Sequence, residues 1–199
     1  MSIVIVGLGN PGNEYEKTRH NAGRLAVEQI AKKEDFDDFE LNKKAEALVT
    51  EGKIGKEKVT LVLPETFMNK SGKSVTALVK SIKAAKNLVV IHDDLDLPLG
   101  TIKMVFARGS GGHKGVESIM RALRTEEFTR IRIGISGEGK KGRAKKPQGE
   151  EKVIKYVIGA FSPKEEAVFK KVLHKVTDVA TLFVTNGLSA AQQEANTKE

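Results

Sequence analysis

The chain has 199 residues, 39% of them apolar and 30% charged, which suits a soluble protein of about one domain and excludes a disordered or fibrous sequence. It contains no cysteine, so disulfides, iron–sulfur clusters, thiolate zinc sites and a cysteine nucleophile are all excluded, and a cytoplasmic setting is expected. Thirty-four Lys and Arg against 26 Asp and Glu leave a net charge of +8, which favours a polyanionic partner, while 5% aromatics and no Trp argue against an array of base-stacking platforms.

No apolar run approaches the ~20 residues of a membrane span, and the opening MSIVIVGLGN lacks the basic segment of a signal peptide. Residues 3–6 are a short β-branched run stopped by Gly7 and read as a buried strand. A Gly-rich loop follows over 7–12, then a polar, turn-like stretch over 13–18. Residues 21–33 carry a helical stripe that includes Leu25 and Ile30. Residues 45–50 and 59–63 read as a strand pair about a turn, with Pro64 ending the second. Residues 71–83 are expected to form one helix with Val75, Leu78, Val79 and Ile82 inward.

Residues 88–91 form a second buried strand, expected to end at His92-Asp93-Asp94. A further strand is expected over 102–106, a flexible turn over 109–112 and a helix over 116–123. Residues 129–135 alternate Arg with Ile, the period of a half-buried strand. Residues 136–150 hold Lys140, Lys141, Arg143, Lys145 and Lys146 among glycines and are expected to be a mobile basic loop. Helices over 163–185 and 189–194 close the chain. Strands alternating with helices predict a single α/β domain with a parallel or mixed sheet.

Several motifs fail on physical grounds. Gly7-Leu8-Gly9-Asn10-Pro11-Gly12 spells G-x-G-x-x-G after a strand, yet Pro11 has no N–H to offer a pyrophosphate and no helix begins at the third glycine. Gly72-Lys73-Ser74 copies the tail of a P-loop, but Phe67 stands where its first glycine belongs. The histidines His20, His92, His113 and His174 show no metal-ligand spacing, and Asp93, Asp94 and Asp96 do not follow the EF-hand pattern.

Three polar clusters remain at predicted strand ends: 10–21 with Tyr15, Arg19 and His20, then 66–69, then 92–94. In an open α/β sheet, sites gather beyond the carboxyl ends of the strands. An imidazole there can take a proton from water, a carboxylate can fix its tautomer, and Asn amides can hold a carbonyl or oxyanion. With no activated Ser or Cys evident, water is the natural nucleophile.

On these residues the sequence resembles bacterial-type peptidyl-tRNA hydrolases. The matching segments are VGLGNPGNEYEKTRHNAG (6–23), PETFMNKSGKSV (64–75), VVIHDDLDLPLG (89–100), GSGGHKGVESI (109–119), RIRIGI (130–135) and YVIGAFSPKEE (156–166). The resemblance implies a single α/β globule, a twisted mixed sheet flanked by helices. It also implies hydrolysis of the ester between a peptide and the 3′ ribose of tRNA, by a monomer without metal or organic cofactor.

By the same resemblance, His20 is the general base on water and Asp93 orients it. Asn10 and Asn69 position the substrate, Tyr15 and Met68 line the cleft, and Lys103 and Arg132 meet the 5′-phosphate end of tRNA. The family usually reads G-G-H-N-G where this chain has Gly111-Gly112-His113-Lys114-Gly115. Lys114 thus replaces an asparagine that holds water or the substrate carbonyl; activity is expected to persist with an altered rate or pH profile. A non-catalytic RNA-binding protein on the same fold is the alternative, since fold does not fix function.

Overall fold

The computed structural model describes residues 2–139 and 142–197. Strand β1 (Ile3–Gly7) is followed by helix α1 (Ala22–Lys33), the short edge strand β2 (Glu40–Asn42) and the hairpin β3 (Ala47–Ile54) and β4 (Glu57–Pro64). Helices α2 (Ser71–Leu78) and α3 (Ile82–Ala85) lead to β5 (Leu88–Pro98) and β6 (Ile102–Phe106). Then come α4 (Lys114–Leu123), β7 (Thr129–Glu138), β8 (Ala144–Lys145), α5 (Glu150–Val157), α6 (Pro163–Asn186) and α7 (Leu188–Asn196).

The sheet runs in the order β2-β3-β4-β1-β5-β7-β6, with β8 paired to the end of β7. The four central strands β4, β1, β5 and β7 are mutually parallel, and the outer pairings are antiparallel. This is the expected mixed sheet. Alternation along the strands sends successive residues to opposite faces. Ile5 joins a core with Ile30 of α1 and Val176 of α6, whereas Val6 joins one with Val75 of α2 and Ile119 of α4. Among the described residues no helix is long and apolar enough to cross a membrane.

Four expectations need correction. The helix over 71–83 stops at Leu78, because Val79 turns extended and Ser81 caps a new turn by accepting from the Ala84 N–H. Ile82, expected inward, is half exposed. Strand β5 does not end at His92-Asp93-Asp94 but pairs with β7 through Asp94, then slips register and rejoins at Pro98. Its polar residues stay in the strand because their side chains find buried partners. In β7 the Arg–Ile alternation predicts Arg130 on an open face, yet Arg130 is 3% exposed. Finally, the stretch 136–150 is partly ordered as strand: Gly137 pairs with Lys145, Glu138 with Ala144, and α5 starts at its end. Lys140 and Lys141 lie outside the described residues.

Candidate active site

The parallel strands deliver their carboxyl ends to one edge. There β1 runs into the loop 8–12, β4 into a 3-10 turn (Met68–Lys70), and β5 onward through Asp93. Helix α1 lies on β5 at a separation that only glycine allows, since a Cβ on Gly23 would stand 2.1 Å from the Ile91 carbonyl oxygen. The 3-10 turn Arg19–Asn21 just before α1 is thereby set over the next residues of β5. His20 lands beside Asp93, with Nδ1 at 3.0 and 3.1 Å from the two carboxylate oxygens. An ionised carboxylate only accepts, so Nδ1 carries the proton and Nε2 keeps its lone pair.

His113 makes a second contact with the same carboxylate. As the N-cap of α4, its Nδ1 accepts the Val116 N–H at 3.3 Å. Its proton therefore sits on Nε2, which donates to Asp93 Oδ1 at 2.9 Å. Sequence reasoning noted His113 only for its lack of ligand spacing. The usable signal was local: a polar side chain after a Gly-rich turn and directly before a helix is a capping position.

Behind Asp93 lies a buried support. His92 Nδ1 donates to the Asp93 carbonyl oxygen at 2.7 Å, leaving Nε2 to accept from Arg130 Nη1 at 3.4 Å. Arg130 Nη2 donates to the carbonyls of Arg108 and Gly109, each at 2.8 Å, and so pins the turn that precedes His113. The sequence reading singled out neither His92 nor Arg130 for a role.

These contacts set the charges. Burial alone would raise Asp93, but the His20 and His113 imidazoles reverse that and hold it well below the usual carboxylate range. Burial pulls His20 down, and the Asp93 charge more than offsets this, leaving His20 above its ordinary value. Burial, with His113 and Arg130 nearby, pushes His92 well below its ordinary value, so His92 is neutral. Burial and the neighbouring Arg132 bring Arg130 down to about 10.

Asn10 belongs to a neighbouring cluster. The Asn21 side chain accepts the Asn10 N–H and donates to the Asn10 carbonyl, both at 2.9 Å, which fixes the loop next to His20. Asn10 Oδ1 accepts the Met68 N–H at 2.8 Å, so its amide NH₂ remains available as a donor. Met68 is buried against α4, where a Cβ on Gly115 would stand 2.5 Å from its sulfur. Asn69 follows it, exposed, and Tyr15 is half-buried in the turn before His20.

A cavity of about 580 Å³ opens beside His20, Asp93, His113 and Lys114. Its far wall is Pro147 and Gln148 with Val153, Ile154 and Val157 of α5. Asn10, Tyr15, Met68 and Asn69 do not line it. Lys114 is exposed as the first residue of α4, and its side chain makes no hydrogen bond or ion pair among the described residues. Lys103 and Arg132 are register partners across β6 and β7, which puts them on one face. Arg132 Nε donates to Asp94 at 2.5 Å.

The ligating atoms of His20, Asp93 and His113 lie within 4.8 Å of one another, a separation that a metal ion could span. Their direct hydrogen bonds already account for this closeness. A metal on His113 Nε2 would also need the proton on Nδ1, facing the Val116 N–H donor and breaking the cap. The donor set therefore suits a hydrogen-bonded carboxylate better than a metal.

A family profile described as Peptidyl-tRNA hydrolase matches residues 4–199. A peptidyl-tRNA hydrolase of Chloroflexus aggregans is 41% identical over 97% of this chain and 98% of its own length. One of Aquifex aeolicus is 43% identical over 86% of this chain and 84% of its own. The crystal structure of peptidyl-tRNA hydrolase from Acinetobacter baumannii superposes with a TM-score of 0.88 at 33% identity, covering 99% of this chain and 95% of that one.

Proposed function

The chain belongs to the peptidyl-tRNA hydrolase family, and from that premise we propose how its residues divide the work of hydrolysing the ester of peptidyl-tRNA. The observation that carries the reading is the contact of His20 Nδ1 with both Asp93 oxygens, which leaves Nε2 as a free base on the cavity. His20 Nε2 takes a proton from water as the water oxygen attacks the ester carbonyl. Asp93 stabilises the imidazolium that forms and holds the ring in its tautomer. The tetrahedral intermediate then collapses, the bond to the 3′ ribose oxygen breaks, and the imidazolium returns its proton to that oxygen. The products are tRNA and a peptide carboxylic acid, which releases its remaining proton to solvent as it ionises.

His113 positions Asp93 from the opposite side. The Asn10 amide, with Asn69 beside it, donates to the substrate's carbonyl groups, and Tyr15 and Met68 bound the cleft next to them. Lys114 reaches the cavity as a donor in place of an amide; when charged it accepts no hydrogen bond. Lys103 and Arg132 meet the 5′-phosphate end of the tRNA, and the basic stretch over 136–150 adds further phosphate contacts. On this reading the protein acts as a cytoplasmic monomer without a cofactor.

The test is single-turnover release of tRNA from an N-acetylated aminoacyl-tRNA, in EDTA, for wild type and His20→Ala. Wild type releases tRNA at an undiminished rate in the chelator, and the variant is slower by roughly 10²–10⁴ with tRNA binding retained. A variant that keeps the wild-type rate would show that His20 is not the base.

A further inference from the structure

Arg19, the residue before His20, sits largely covered in a setting the reaction scheme does not use. Its side chain is 11% exposed, and its Nη2 meets Glu165 Oε2 of α6 at 2.9 Å. Its Nη1 donates to the Tyr156 carbonyl of α5 at 3.4 Å. The guanidinium lies over two rings, 4.5 Å from the centroid of Tyr156 and 5.3 Å from that of Phe161. The backbone joins in: Arg19 N–H donates to the Gly159 carbonyl at 3.0 Å, and Thr18 bridges Ala160.

The partners of Arg19 are themselves held. Glu165 Oε2 also accepts the Ser162 N–H at 2.7 Å, closing the capping box that starts α6. The Tyr156 hydroxyl donates to the Ile135 carbonyl of β7 at 2.8 Å. Phe161 stacks on Phe169 with centroids 4.5 Å apart. The junction between α5 and α6 is thus a rigid block, and Arg19 is the side chain that plugs the His20 turn into it.

This matters because α5 is also the far wall of the cavity. His20 is positioned from β5 through Asp93, whereas Val153, Ile154 and Val157 are positioned from the α5–α6 block. Arg19 ties these two frames together. An anchor needed only for folding could sit anywhere on this block; this one is contiguous in the chain with the base.

We infer that Arg19 is a positioning residue for hydrolysis: by stacking on Tyr156 and Phe161 and pairing with Glu165, it fixes the His20 turn relative to the cavity wall against which the scissile ester is presented. The inference rests on His20 acting as the base. It assigns Arg19 an effect on the chemical step, since a displacement of ~1 Å at a base costs up to roughly 10²-fold in rate.

Arg19→Met keeps the length and apolar stem of the side chain and removes the charge and the fork. Glu165→Gln, at a 27% exposed side chain, keeps the shape of the partner. Both are assayed in the steady state with substrate varied and by single turnover at saturating enzyme, well below their melting temperatures, with His20→Ala alongside. Arg19→Met loses about tenfold or more in kcat with KM within about twofold. Its acid limb also moves to lower pH as the turn loosens from Asp93. Glu165→Gln moves kcat in the same direction by less, and the double variant is no worse than Arg19→Met because both act through one contact. A lowered melting temperature with wild-type kcat and pH profile in Arg19→Met would overturn the inference. If Arg19→Met does not fold, unchanged kcat in Glu165→Gln overturns it. If His20→Ala itself keeps wild-type turnover, the base assignment fails instead.

Discussion

The two walls of the cavity are built differently. On the His20 side the Asp93 carboxylate accepts from two imidazoles, His92 and Arg130 brace the strand behind it, and Asn21 clamps the loop of Asn10. On the opposite side, residues 146–149 rest on a two-residue strand and on an ion pair between Lys146 and Asp96 at 2.5 Å whose side chains are 54% and 49% exposed. On the proposed assignment, the groups that would meet developing charge are fixed before substrate arrives, which is where preorganisation lowers a barrier. The stretch 146–149 along the cavity is held by contacts cheap enough to break, whereas the α5 part of the same wall is anchored through Arg19.

That contrast fixes the order of effects. After His20→Ala, the largest comes from the rigid side: His113→Ala removes one of the two Asp93 donors and the α4 cap. Single-turnover rate falls by about ten- to a hundredfold, and thermal denaturation shows the loss of roughly 1 kcal/mol expected for a cap. Intermediate effects come from the basic face. Lys103→Ala and Arg132→Ala each reduce the salt slope of tRNA binding by about one while leaving the rate of bound substrate alone. The smallest comes from the loose wall. An exposed ion pair contributes about 0.2–1 kcal/mol, so Lys146→Ala changes KM by at most about fivefold at low salt, and added salt removes the difference.

Much of the fold was legible, because β1 and the start of β5 are apolar runs and α1 and α6 carry clear stripes. Two of the misreadings share one cause. His92, Asp93 and Asp94 look like a strand end because they are polar, and Arg130 looks solvent-facing because it alternates with Ile. In the fold each finds a partner inside the protein, Asp93 in His20 and His113, Asp94 in Arg132, and Arg130 in His92 and two backbone carbonyls, so β5 and β7 run on through them. Periodicity reports exposure only when a polar side chain has water as its partner. The break after Leu78 depends on Ser81 finding a free N–H, a local competition that an apolar stripe does not record.

The candidate site divides the same way. His20, Asp93 and Asn10 were marked by segments of the chain that resemble a known family. The meeting of His20 with Asp93 depends on Gly23, whose missing Cβ lets α1 sit on β5, and no spacing rule encodes that contact. The capping role of His113 has a local signal, but its contact with Asp93, and the hold of Arg130 on the turn before α4, appear only once the strands are placed.

The central claim is that Asp93 makes His20 a stronger base than a free imidazole. It is tested most directly by the pH dependence of kcat/KM for wild type and Asp93→Asn. His20 is active when neutral, so the rate rises with pH through its pKa. The account predicts a wild-type acid limb centred above the ordinary value of about 6.5, and a limb at lower pH, with a lower plateau, once the carboxylate charge is removed. An acid limb that stays in place in Asp93→Asn would contradict it.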